Sequence, residues 1–172
     1  GAPQEEVSIQ EAQGHKVAEI RFTHRRDKPF RNPELRAAML TQVGKPFQRH
    51  FFRNDLGALE NLYRGEGYMG VDIAKRTLLL DERGRLHIAL EIDSRGRWTG
   101  EDVGLVLSAP FDTTALRPLL KLKPGEPFRY GEVVEGEREL QSRLNSLGYA
   151  QAAVHNELEL DSRRHAAVVR YL

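Results

Sequence analysis

The sequence predicts an α+β chain of two consecutive β-α-α-β-β units, each a three-stranded mixed sheet covered on one face by two helices. Three observations carry this. The chain matches itself without a gap at a spacing of 81 residues, from Phe47 to Phe128 (128 − 47). The matches fall on conformationally demanding residues: "VGKPF" at Val43–Phe47 returns as "PGEPF" at Pro124–Phe128, and Gly67–Tyr68 returns as Gly148–Tyr149. Apolar residues alternate at period two on both sides of a stretch where they recur every three or four positions.

The first unit opens with "KVAEIRF", an expected strand with Val17, Ile20 and Phe22 as its main apolar members. "RNPEL" then starts a helix, with Asn32 as N-cap, Pro33 at the first helical position, and Leu35, Ala38, Met39 and Leu40 on one side. Thr113 stands at the place of Asn32 in the second unit. Gly44 and Gly125 suit the left-handed position past a helix end, and Pro46 and Pro127 block continuation.

The next helix carries Phe52, Leu56, Leu59 and Tyr63 inward, and its counterpart Val133, Leu140, Leu144 and Leu147. Phe47 precedes Phe52 by five residues and Phe128 precedes Val133 by five, the spacing of a hydrophobic staple across a helix start. Gln48 and Arg129, at the cap positions, are poor N-caps. Gly67 and Gly148 end these helices, with Tyr68 and Tyr149 placed to fold back on Tyr63 and Leu144.

"YMGVDIAKRTLLLD", the turn "ERG" and "RLHIALEID" read as a hairpin in which Leu86, Ile88, Leu90 and Ile92 alternate with polar or small residues. The second unit repeats it as "YAQAAVHNELELD", "SRR" and "HAAVVRYL", after an opening strand "EDVGLVLS". The expected division is a leader, or the end of a preceding domain, over 1–15, then domains over 16–94 and 95–172.

Composition narrows function by exclusion. With 40% hydrophobic residues, 30% charged residues and a net charge of +1, the chain is an ordinary globular type with no polyanion-binding bias. It has no cysteine, hence no disulfide, thiol catalysis or cysteine-ligated zinc, and its opening residues lack the pattern of a signal peptide. Histidines 15, 24, 50, 87, 155 and 165 form no metal-binding motif and are expected at the surface. Glu157, Glu159 and Asp161 share one strand face, which suits a hydrolase superficially, but their alternation with Leu158 and Leu160 favours a solvated face. "HRRDKPFR" offers Arg25, Arg26 and Lys28 to an anionic headgroup, against the simpler reading of an exposed connection. A KH-type RNA-binding module also joins helices through a Gly-containing turn, but here the turn lacks the second Gly of G-x-x-G and carries Glu126 in one copy. No catalytic residue, metal ligand or cofactor is proposed.

In its order of strand, helix, "G-x-P-F", helix, "G-Y" and hairpin, the chain resembles the POTRA (polypeptide-transport-associated) domain over about 16–172. The matching stretches are "VGKPFQRHFFRNDLGALENLYRGEGYMGV" and "KPGEPFRYGEVVEGERELQSRLNSLGYAQAAV". The family's usual Gly after the first strand is missing from "RFTHRRD" and "LSAPFD", and "DSRG" replaces a common Glu-Gly pair. The resemblance implies the periplasmic part of a BamA-like or TamA-like outer-membrane assembly protein or a related secretion barrel, with a C-terminal barrel in the full-length chain. It implies unfolded outer-membrane polypeptides and other assembly-machinery subunits as partners.

The strand after Gly-Tyr becomes an open sheet edge if the first strand docks beside the hairpin's second strand. Guest strands are then expected along Val71, Asp72, Ile73, Ala74 and Lys75, and along Ala153, Val154, His155, Asn156 and Glu157. A structural spacer and a division-type scaffold remain the alternatives.

Overall fold

In the computed structural model, which describes residues 4–106, 113–161 and 163–172, the chain divides into two units by its internal contacts. Gly1–Tyr63 with Gly70–Gly96 form one, and Arg64–Met69 with Arg97–Leu172 form the other.

The first unit contains β1 (Glu5–Glu6), α1 (Ile9–Ala12), β2 (Val17–Arg25), α2 (Asn32–Ala37), α3 (Arg49–Gly65), β3 (Asp72–Leu80) and β4 (Leu86–Asp93). Its sheet runs β1-β3-β4-β2, with β2 parallel to β4 and β3 antiparallel to it. The sheet therefore has four strands where the sequence predicts three. The addition is β1, which pairs Glu5 with Leu80 and Glu6 with Leu79, so residues expected as a leader extend this sheet.

The second unit contains β5 (Thr99–Leu105), α4 (Thr113–Leu116) continued by a 3-10 turn over Arg117–Leu119, α5 (Tyr130–Ser146), β6 (Asn156–Asp161) and β7 (Ala166–Tyr171). Its three strands run β5-β7-β6, with the first parallel to β7 and the last antiparallel. Leu107–Ser108 of the expected opening strand, the rest of "LSAPFD", and Ser162 of the expected turn lie outside the described residues.

The cores follow the apolar periods. Leu86, Ile88, Leu90 and Ile92 are all buried on one face of β4, and Phe52, Leu56, Leu59 and Tyr63 of α3 are buried as well. The second core joins Val133, Leu140 and Leu144 to Val103, Val169 and Tyr171, whereas Leu147, beyond the last turn of α5, is exposed. Phe47 and Phe52 are both fully buried with ring centroids 5.3 Å apart, the staple that the spacing predicts, and Phe128 and Val133 are equally buried in the second core.

Several local details differ from the sequence reading. Asn32 is the first helical residue, not the cap; its Oδ1 bonds to His24 Nε2 at 3.0 Å, and the cap position falls to Arg31. α2 stops at Ala37, leaving Leu40 exposed. Gly44 and Gly125 have φ of 86° and 85°, but neither closes a helix. Each lies in a turn tied to a strand of its unit, β2 or β5: Gly44 N–H donates to Val17 O at 2.8 Å, and Gly125 N–H donates to Gly100 O at 2.7 Å. Pro46 and Pro127 bridge Lys16 and Thr99 in the same way, so "G-x-P-F" joins the helix entry to the sheet.

The N-terminus of α3 receives the partner its own sequence lacks. Gln13 Oε1 accepts from Arg49 N–H at 2.9 Å, so the segment before β2 caps this helix. At the end of α5, Tyr149 N–H donates to Leu144 O at 3.0 Å and Gly148 N–H to Asn145 O at 3.1 Å, a Schellman closure. Tyr149 remains 48% exposed, while Tyr68 is buried.

Candidate peptide-binding edges

An antiparallel ladder turns the backbone groups of alternate residues away from the partner strand. On β3 the first strand reveals which residues these are, because Val7 N–H donates to Leu78 O at 2.9 Å from the side opposite β4. Leu78 therefore faces outward, and so does Arg76 two residues earlier. β1 covers the end of β3 at Leu79 and Leu80. Ala74, Lys75 and Arg76 are exposed, and among the described residues no strand pairs with their outer side.

The register shifts between Ile73 and Lys75, placing Ala74 at a bulge that bends the edge at the start of this open stretch. Of the residues expected to take a guest, Val71 and Ile73 are buried, Asp72 is half-buried, and Val71 precedes the strand. Asp72 also accepts from Arg95 at 3.2 Å. The open stretch is thus Ala74–Arg76, which includes Ala74 and Lys75 and extends one residue beyond the expected segment.

On β6 the same reasoning starts from His155 and Leu172, which exchange both backbone bonds at 3.1 and 2.8 Å. Glu157 and Glu159 then face β7, and Asn156, Leu158 and Leu160 turn their N–H and C=O groups outward. Ala153, Val154 and His155 precede the strand, and Val154 is buried. Side chains of α5 reach this end: Val154 N–H donates to Gln141 Oε1 at 2.9 Å, and Asn156 N–H donates to Glu137 Oε2 at 3.1 Å. Beside them a groove of 520 Å³ lies between α5 and Val154, lined also by Val134 and Ser142.

The cations considered for a headgroup are mostly engaged by carboxylates. Arg25 stands 3.9 Å from Glu91 and Arg26 3.6 Å from Asp93, so two of the three cations considered for a headgroup already face carboxylates. Lys28 is exposed. Glu157 and Glu159 lie on the exposed face of β6, and among the described residues no group of His, Asp and Glu is placed to hold a metal ion.

His87 departs from the surface expectation. His87 has only 17% of its side chain exposed and bridges Asp81 Oδ2 at 2.8 Å and Glu19 Oε1 at 2.7 Å. The bond from His87, followed by backbone N–H groups of the turn, lowers the Asp81 carboxyl to about 2. Asp81 and then Glu19 raise the His87 imidazole above its ordinary value, against the opposing effect of burial. Its period-two position predicted the outer face, but Glu19 meets it through the register of β2 with β4 and Asp81 across the hairpin turn.

An exposed sheet edge carries backbone groups that an added strand can pair with. The POTRA family model, described as surface antigen variable number repeat, matches residues 15–95 and again 104–171. The chain belongs to the POTRA family, as two consecutive copies.

Solved structures share the fold. The chain is similar to POTRA domains 3–5 of Haemophilus influenzae BamA (17% identity, TM-score 0.60, covering 99% of this chain and 66% of that one). It is similar to Haemophilus ducreyi BamA lacking POTRA domains 1–3 (14%, 0.63, covering 91% and 29%). It also resembles POTRA domains 1–2 of the periplasmic domain of Anabaena Omp85 (14%, 0.56, covering 93% and 96%). The chain thus spans less than two thirds of the two BamA chains. Among the described residues no helix is long and apolar enough to cross a membrane.

Proposed function

We propose that the two domains are a periplasmic receiving module of an outer-membrane β-barrel assembly or translocation protein. They hold extended segments of unfolded outer-membrane polypeptides, or of partner proteins in the same machinery, by adding a guest strand to the sheet edge. Membership in the POTRA family supports the setting. The observation that carries the mechanism is β1: the chain's own Glu5–Val7 already adds to β3 as an antiparallel strand and leaves Ala74–Arg76 open beside it.

Main-chain hydrogen bonds supply such binding with little demand on guest sequence, which suits a receiver of many different barrel precursors. No step in this reading requires a catalytic group or a cofactor. Amide-shift mapping with an extended barrel-strand peptide tests it. Shifts are expected at Ala74–Arg76 and on β6, and shifts that avoid both stretches refute it.

A further inference from the structure

The two edges are not equivalent, because the second domain carries its own substitute for a guest. Gln141 Nε2 donates to Ala152 O, and Gln141 Oε1 accepts from Val154 N–H at 2.9 Å. A carbonyl and an N–H two residues apart, bridged by one amide, reproduce what a single residue of a parallel strand does opposite Ala153. The amide orientation follows from its partners: Nε2 also donates to Asn145 Oδ1 at 3.1 Å, and a flipped amide would face Ala152 O with an oxygen. One turn earlier on α5, Glu137 Oε2 accepts from both the backbone and the side-chain nitrogen of Asn156.

We infer that Gln141 and Glu137 act as a built-in pseudo-strand that closes the first half of the second domain's edge and confines a guest to Leu158–Leu160. The inference rests on the strand-addition reading. An incoming segment at Ala152–Asn156 gains no new hydrogen bond unless it displaces the amide and the carboxylate, whereas Leu158 and Leu160 face outward beyond their reach. The first domain cannot form the same two-way amide bridge. At the place of Glu137 it has Leu56, which offers no acceptor, and at the place of Gln141 it has Glu60, whose carboxylate accepts but cannot donate to a carbonyl. Its edge is limited from the other end, by β1 at Leu78–Leu80. The two edges therefore present opposite halves to a guest.

Amide hydrogen exchange and peptide titration of the 172-residue chain, wild type and Gln141→Ala, test this. The probe is a ten-residue extended peptide alternating Thr and Val. In the wild type, Val154 N–H is expected to be protected, and the peptide is expected to shift Leu158–Leu160 without Val154. In Gln141→Ala, Val154 exchange is expected to rise at least ten-fold while Val133, Leu140 and Leu144 keep their protection, and the peptide footprint is expected to extend to Val154. Free exchange of Val154 in the wild type, or identical footprints in both proteins with Ala74–Arg76 still shifted, overturns the pseudo-strand alone. A peptide that shifts neither edge in either protein overturns strand addition and the gating together, and Val154 protection then marks a structural cap only.

Discussion

Gly136 and Tyr171 are matched across the second core: a Cβ at position 136 would lie 2.6 Å from the Tyr171 hydroxyl oxygen and 3.1 Å from its ring carbon Cζ. The space that Gly136 leaves in the middle of α5 lets that hydroxyl donate to Val133 O at 2.9 Å, and burial pushes the phenol up to about 12. Ala normally gains about 1 kcal/mol over Gly inside a helix. Here the close approach outweighs it, and Gly136→Ala is expected to destabilise the second domain by about 1 to 3 kcal/mol in urea denaturation. Adding Tyr171→Phe removes the nearer atom, so the double variant is expected to lose less than the sum of the two single losses.

The repeat places Asp55 in the first domain where Gly136 stands in the second. Asp55 is fully buried, and its carboxylate accepts from Leu40 N–H at 2.6 Å and Thr41 N–H at 2.9 Å, holding the chain between α2 and the "G-x-P-F" turn. Asp55→Ala leaves both donors without that acceptor and is expected to cost about 2 to 4 kcal/mol. Asp55→Asn, which keeps one carbonyl acceptor, is expected to lose less in the same denaturation series.

Phe47 is fully buried against Phe52, and its N–H donates to His15 O at 2.8 Å. Removing the ring opens a cavity at the junction of α3 and the sheet, and Phe47→Ala is expected to destabilise the first domain by about 3 to 5 kcal/mol. A loss below about 1 kcal/mol would remove the staple from the account.

The Glu19–His87–Asp81 bridge makes stability depend on pH in a definite direction. The folded His87 value lies above the ordinary 6.5, so its contribution is full below 6.5 and is lost as pH rises through the raised value. Asp81, lowered from 3.8 to about 2, contributes above 3.8 and loses that contribution as pH falls toward 2. The stability difference between wild type and His87→Gln is therefore expected to be greatest between pH 4 and 6.5 and to shrink at alkaline pH. A difference that grows with rising pH would contradict the charged bridge.

The Phe47–Phe52 staple, the apolar face of β4 and both hairpins were legible because each depends on residues within a few positions of one another. Phe47 and Phe52 are separated by less than two turns, and Leu86 to Ile92 alternate along one strand. What the sequence concealed depends on distant partners. Glu5–Glu6 is too short and too polar to show a strand period, and it becomes a strand only because β3 offers an edge. Asn32 looked like a cap because of Pro33, yet its side chain is taken by His24. Gln13, Asp55 and Gln141 are ordinary polar residues of helical surfaces or connections by local pattern. Their roles arise when the fold brings each to backbone groups that lack partners, which no local period reports. The strand orders β1-β3-β4-β2 and β5-β7-β6 could be read in outline from the hairpins, but not that β1 pairs with the end of β3 or that side chains of α5 bond to Val154 and Asn156.

Guest-strand addition at β3 predicts that deleting one backbone donor at its open edge weakens binding. The Arg76 N–H faces away from β4, so Arg76→Pro removes that donor while leaving the ladder to β4 intact. Calorimetric titration of an extended barrel-strand peptide is expected to give at least ten-fold weaker binding to Arg76→Pro, and near wild-type binding to Arg76→Ala, which loses only the side chain. Equal affinity for wild type and Arg76→Pro, in a variant that remains folded, would contradict strand addition at this edge.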